Sequence, residues 1–111
     1  MLRIDPLISV YVFSVAVDLR QGFDRLSALA SSQLNKNVTK GGMFVFFGRN
    51  KDRVKILYWD RDGLAIWYKR LEAGTFKVAS ENPVSEIAGV DLESLLSGME
   101  LKRIAVRKKF S

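Results

Sequence analysis

The segment from Arg53 to Leu71 constrains the fold more than any other part of the chain. Arg53-Val-Lys-Ile-Leu-Tyr-Trp59 and Leu64-Ala-Ile-Trp-Tyr-Lys-Arg-Leu71 are rich in β-branched and aromatic residues and flank Asp60-Arg-Asp-Gly63. Such runs suit a pleated, half-buried surface. An Asp-Gly pair between them tolerates the positive φ that tight hairpin turns need. A loop of two or four residues places Arg53, Lys55, Leu57 and Trp59 on one face with Leu64, Ile66, Tyr68 and Arg70. Val54, Ile56, Tyr58, Ala65, Trp67 and Lys69 then share the other face. Both faces are substantially apolar, so the hairpin is expected to be central and covered on at least one side.

Neighbouring segments extend this pattern. Met43 to Phe47 is an apolar run of strand length, and Gly48-Arg-Asn-Lys-Asp52 is a turn cluster. Ala73-Gly74 marks another tight turn, into a short strand at Thr75 to Val78. Upstream, a strand is expected within Ser9 to Val17. Asp18-Leu-Arg-Gln21 has capping-box spacing, and Phe23, Leu26, Leu29, Ala30 and Gln33/Leu34 then form the stripe of an amphipathic helix. Asn35 to Gly42 closes that helix as a loop. Downstream, Pro83 lies in a linker, and Leu92, Leu95, Leu96 and Met99 describe a short helix with Asp91 as its cap. Lys102 to Ser111 reads as an edge strand or a disordered arm. The expected class is α+β: an antiparallel meander of four to five strands, the Phe23–Leu34 helix on one face and a short C-terminal helix. Residues 1–101 form the domain and residues 102–111 a basic tail.

With 111 residues and 48% hydrophobic side chains, the chain suits one compact domain with a modest core. It has no cysteine, which excludes disulfides and thiolate zinc sites and fits a reducing cytoplasm. It also has no histidine, and so lacks the side chain that most often moves protons near neutral pH. Leu7 to Val17 is apolar but too short to span a bilayer, which takes roughly 20 residues. Ser14-Val15-Ala16 faintly resembles a signal-peptide cleavage site, yet Arg3 is offset by Asp5 and the run is built of strand formers.

Net charge is +6 and uneven. Arg49 to Arg70 carries +4, Lys102 to Lys109 carries +5, and the remainder −3. Cations gathered in a middle segment and a tail suit contact with an anionic polymer, although basic tails also aid solubility. The candidate contacts are Arg49, Lys51 and Arg53 around the turn, Lys55, Lys69 and Arg70 on the hairpin, and Arg107, Lys108 and Lys109 in the tail. Turn cations are the better candidates because turns are exposed. Trp59, Trp67, Tyr58 and Tyr68 could stack bases, but aromatics on interior strands more often build the core. Asp60 and Asp62 flank an arginine within a turn, where Asp serves local hydrogen bonding rather than a two-metal site. Gly41-Gly42 lacks phosphate-loop spacing. No catalytic, metal or cofactor residue is nominated.

Three stretches in order carry a resemblance: Asp18-Leu-Arg-Gln-Gly-Phe-Asp24, Gly42-Met-Phe-Val-Phe-Phe47, and Asp52-Arg-Val-Lys-Ile-Leu-Tyr-Trp-Asp60. The last continues through Asp62-Gly63 and Trp67-Tyr-Lys-Arg-Leu-Glu72 to Gly74 and Phe76. Together they resemble the TnpB-type accessory protein of the IS sixty-six group of bacterial insertion sequences, which is distinct from the RNA-guided nuclease of that name. Gln21 stands where many members have a basic residue, and Val78-Ala79 where many have an aromatic-proline pair. The resemblance implies a non-enzymatic, cytoplasmic role in transposition beside a separate DDE transposase, with DNA, the transposase, or both as partners. The alternative is a module that binds the transposase or dimerises without touching DNA, through an apolar patch or a free sheet edge.

Overall fold

The computed structural model describes residues 2–110. Its elements, in order, are β1 (Ser9–Phe13), α1 (Phe23–Leu34), β2 (Met43–Phe47), β3 (Arg53–Asp60), β4 (Gly63–Arg70), β5 (Val84–Ala88), α2 (Gly89–Leu96) and β6 (Lys108–Phe110). One six-stranded sheet runs β4-β3-β2-β1-β5-β6. The class is α+β as expected, but the sheet is mixed and not a simple antiparallel meander. β1 and β2 lie parallel at its centre, and every other pairing is antiparallel. Parallel neighbours cannot be joined by a tight turn. The chain between them therefore crosses the sheet, and α1 is that crossover.

Central position explains the composition of these two strands. Every residue of β2, and all of β1 after Ser9, is buried. Period-2 alternation sends Val10, Val12, Met43, Val45 and Phe47 to one face and Tyr11, Phe13, Phe44 and Phe46 to the other. On the second face, Tyr11 stacks on Phe44 with ring centroids 5.2 Å apart, and Phe13 on Phe46 at 4.6 Å. Leu26, Ala30 and Leu34 of α1 cover these rings, and α2 brings Leu92 and Leu95 to the first face.

The β3–β4 hairpin has the expected faces, with a two-residue loop pairing Asp60 with Gly63, but it is not central: β4 is the outer strand of the sheet and none of its residues is fully buried. The positive φ falls on Arg61, not on the Asp-Gly pair. There, Asp62 N–H donates to Asp60 O across 2.6 Å, and the Trp59 indole N–H holds Arg61 O at 3.0 Å.

Several local expectations need correction. Thr75 to Val78 is not a strand. Its alternation arises because Phe76 and Val78 drop into the first-face core from a segment hydrogen-bonded to a turn: Phe76 N–H donates to Lys51 O at 2.7 Å. The region around Pro83 is not merely a linker. Pro83 O accepts the Ser14 N–H at 2.9 Å, and β5 starts at the next residue. Asp18 does not cap α1, whose N-cap is Gly22 without a side-chain bond; it closes an earlier turn by accepting the Arg20 N–H at 3.0 Å. Asp91 likewise sits inside the first turn of α2 rather than capping it. The end of the chain supplies the edge strand β6, whose residues pair with β5.

Gly89 shows why α2 begins where it does. Its N–H donates to Ile8 O at 3.0 Å, and a Cβ at this position would run into the Asp5 carbonyl. Gly89→Ala is expected to lower unfolding free energy by about 1–3 kcal/mol, because residues leading into β1 must shift. Chemical denaturation measures the change.

Candidate nucleic-acid interface

One end of the sheet gathers the loop after β1, the β2–β3 turn and the far end of β4. Each piece has a local reason for its place. The Ser14 side chain donates to Asn82 O at 2.6 Å, and the Val17 N–H reaches Phe47 O at 2.9 Å, so the loop is stitched to the ends of β5 and β2. Between β2 and β3, Gly48 N–H donates to Arg53 O at 3.2 Å and Lys51 N–H to Gly48 O at 3.0 Å. Leu19 packs directly on Gly48, where a Cβ would come within 3.3 Å of its methyl carbon.

Between these pieces lies an open, mostly polar cleft of ≈ 660 Å³. Arg20, Arg49 and Arg53 line it together with Asp18, Asp52 and Tyr68. Tyr68 is half exposed; the Arg53 guanidinium reaches its hydroxyl at 3.5 Å, and the Lys55 ammonium lies 5.1 Å from its ring centre. Lys55 also donates to Gln21 O at 3.0 Å, which fixes the cation beneath the loop. Arg70 faces Arg53 directly across the β3–β4 ladder. Two like charges so placed repel unless an anion sits between them.

The sequence candidates therefore separate into groups. Arg49, Arg53, Lys55 and Arg70 come together at this end. Lys51 does not join them, because its ammonium turns inward to Ser14 O at 3.0 Å, and burial holds its pKa below the ordinary lysine value. Lys69 points to the opposite face of β4. Arg107, Lys108 and Lys109 lie beside β5 at the other edge of the sheet, about 24 Å away by strand spacing. There Arg107 approaches Glu86 at 3.8 Å.

Two residues of the cleft escape a reading by composition. Tyr68 has the look of a core aromatic, yet edge position leaves it open. Arg20 is absent from the candidate cations, although the Asp18-Leu-Arg-Gln21 motif marks its corner. Arg20 grips Asp18 through two nitrogens, at 2.7 to 3.1 Å, so that carboxylate is neutralised at the rim of the cleft. The guanidinium bond is the main reason that the Asp18 pKa falls from 3.8 to about 2. Among the described residues no cluster of three or more potential metal ligands occurs, and no helix is long and apolar enough to cross a membrane.

The molecule is a small α+β fold with a group of arginines gathered at one end of its sheet. Its relatives place it more closely. A model of the IS66 Orf2-like protein family matches residues 8–106, and the chain belongs to that family of insertion-sequence proteins. It is 32% identical to the uncharacterized protein y4hO of Sinorhizobium fredii over 94 residues, covering 84% of this chain and 82% of that one. A second protein of the same organism, the uncharacterized y4jC, is 37% identical over 67 residues, 60% of this chain and 57% of its own length. No solved structure matches.

The Asp18–Arg20 pair gives a pH test. A carboxylate with a depressed folded-state pKa contributes stability above its unfolded value, lost as pH falls through the folded one. The window here runs from 3.8 down to about 2. Carbon-detected NMR should show Asp18 titrating near the lower value, and Arg20→Gln should return its midpoint toward the upper one.

Proposed function

We propose that this chain is a non-catalytic accessory protein of transposition that works in the cytoplasm beside a separate DDE transposase and holds DNA at the Arg20–Arg49–Arg53 cleft. The observation that carries the reading is the meeting of exposed Arg49 and Arg53 with the open Tyr68 ring on one polar cleft, with Arg70 across the ladder from Arg53. Guanidinium groups pair with phosphates and release counterions, and an exposed aromatic face accepts an unpaired base. The facing Arg53 and Arg70 supply a place where an anion relieves existing repulsion. Membership of an insertion-sequence family supplies the setting. A non-enzymatic role is supported by a chain without histidine or cysteine, whose Asp60 and Asp62 occupy an exposed turn.

Anisotropy titrations with duplex DNA from the ends of the element, across a salt series, test this assignment. Arg49→Ala/Arg53→Ala should weaken binding roughly tenfold or more. The same variant should reduce the slope of log affinity against log salt by about 0.9 for each phosphate no longer neutralised. Lys51→Ala should have a much smaller effect, since its ammonium is spent on Ser14. Weakened binding seen instead with Lys108→Ala/Lys109→Ala, the cleft variant binding normally, would move the DNA site to the β6 edge.

A further inference from the structure

β4 ends the sheet on the cleft side, and its outer edge is unpaired among the described residues. Which backbone groups it offers follows from the hairpin. The two-residue loop makes Asp60 and Gly63 a hydrogen-bonded pair, and antiparallel pairs alternate from there. Leu71 N–H donates to Asp52 O at 2.7 Å, which keeps the same alternation at the other end. Gly63, Ala65, Trp67 and Lys69 therefore bond to β3. Leu64, Ile66, Tyr68 and Arg70 turn their N–H and C=O groups outward.

Natural sheets blunt such edges with proline, bulges, brevity or charge. β4 has eight residues and no proline, and it pairs with β3 residue for residue without a bulge. Its cations, Lys69 and Arg70, stand at one end, while Asp62 precedes the other. A strand with base at one end and acid at the other is complementary to an antiparallel copy of itself.

We propose that β4 pairs antiparallel with β4 of a second copy of this chain, Ile66 meeting Ile66 on the two-fold axis and Asp62 meeting Arg70. In this register Leu64 faces Tyr68, Ala65 faces Trp67, and Gly63 faces Lys69, so a small residue lies opposite each large one on the Trp67 face. Asp62 of the second copy lies beside Arg70 on the side away from Arg53 and offsets the charge that Arg70 presents at the edge. Placing Trp67 on the axis instead would set Asp62 against Glu72, and Lys69 against Ala65, leaving the end cations without acidic partners. The Arg70–Glu72 pair at 3.2 Å does not hold Arg70 back, because both side chains are largely exposed and such pairs contribute little. Lys69 and Arg70 repel most basic strands, whereas Arg70 finds its complement in this register, so the same charges give specificity. The interface is isologous, the usual form for a homodimer. It does not depend on the DNA reading.

Sedimentation equilibrium of the full chain without DNA should show a concentration-dependent dimer. Asp62→Arg and Arg70→Asp, each alone, should weaken it about tenfold, and the two combined should restore it to within about threefold. Hydrogen exchange on the unmodified chain provides a readout that needs no variant: the outward Ile66 and Tyr68 amides should gain protection as concentration rises. A chain that stays monomeric through the micromolar range, or a charge-swapped double variant as weak as the singles, overturns the pairing. So does an Ile66 amide protected only when transposase is added, which would assign the edge to that protein.

Discussion

The parallel contact between β1 and β2 is the constraint on which the other elements depend. Two neighbouring strands with side chains buried on both faces must have a layer on each side. α1 supplies one cover, over the stacked Tyr11–Phe44 and Phe13–Phe46 pairs. α2 and the segment carrying Phe76 and Val78 supply the other. Because the strands run the same way, the chain must travel the length of the sheet between them, and the loop at Val15–Gln21 begins that return. The candidate interface stands on this loop. Its position is thus a consequence of topology: the end of the sheet where β1 and β2 finish is also where β3 starts and β4 ends.

That convergence explains the electrostatics. Arg49 and Arg53 come from the turn after β2, Arg20 from the loop after β1, and Arg70 from the last residue of β4. No pair of these is brought together by a helical repeat; strand register sets Arg53 opposite Arg70, and the packing of Leu19 on Gly48 brings the Arg20 loop to the Arg49 turn. Asp18 neutralises Arg20 at the rim and Glu72 approaches Arg70, which leaves Arg49 and Arg53 exposed to a ligand.

Legibility in the sequence follows the locality of the interactions. The β3–β4 hairpin and α1 are readable because alternation and a 3.6-residue stripe are written within a few residues of each other. The partner of β1 is not readable: Val-Tyr-Val-Phe13 is apolar at every position and names no neighbour. β5 is hidden behind Pro83 and diluted by Ser85 and Glu86, whereas Phe76 and Val78 imitate a strand while serving as plugs. In the candidate site, Arg49 and Arg53 are legible as turn cations. The diversion of Lys51 is not, because its acceptor, the Ser14 carbonyl, is brought near only by the folded sheet. Tyr68 is open to misreading because an edge strand and an interior strand share one composition.

The pairing of β1 with β5 also bears on how the molecule assembles in time. Ser9 meets Ala88 and Phe13 meets Val84, so this ladder closes a loop of roughly 70–80 residues, whereas the β3–β4 hairpin closes over its own turn. A chain made from its N-terminus presents β1 first and receives the strand that flanks it last. Until then one side of β1, a strand buried at every position after Ser9, waits open beside a finished hairpin. The β1–β5 ladder therefore cannot close until the segment between Phe13 and Val84 has emerged, and only then is the second side of β1 covered.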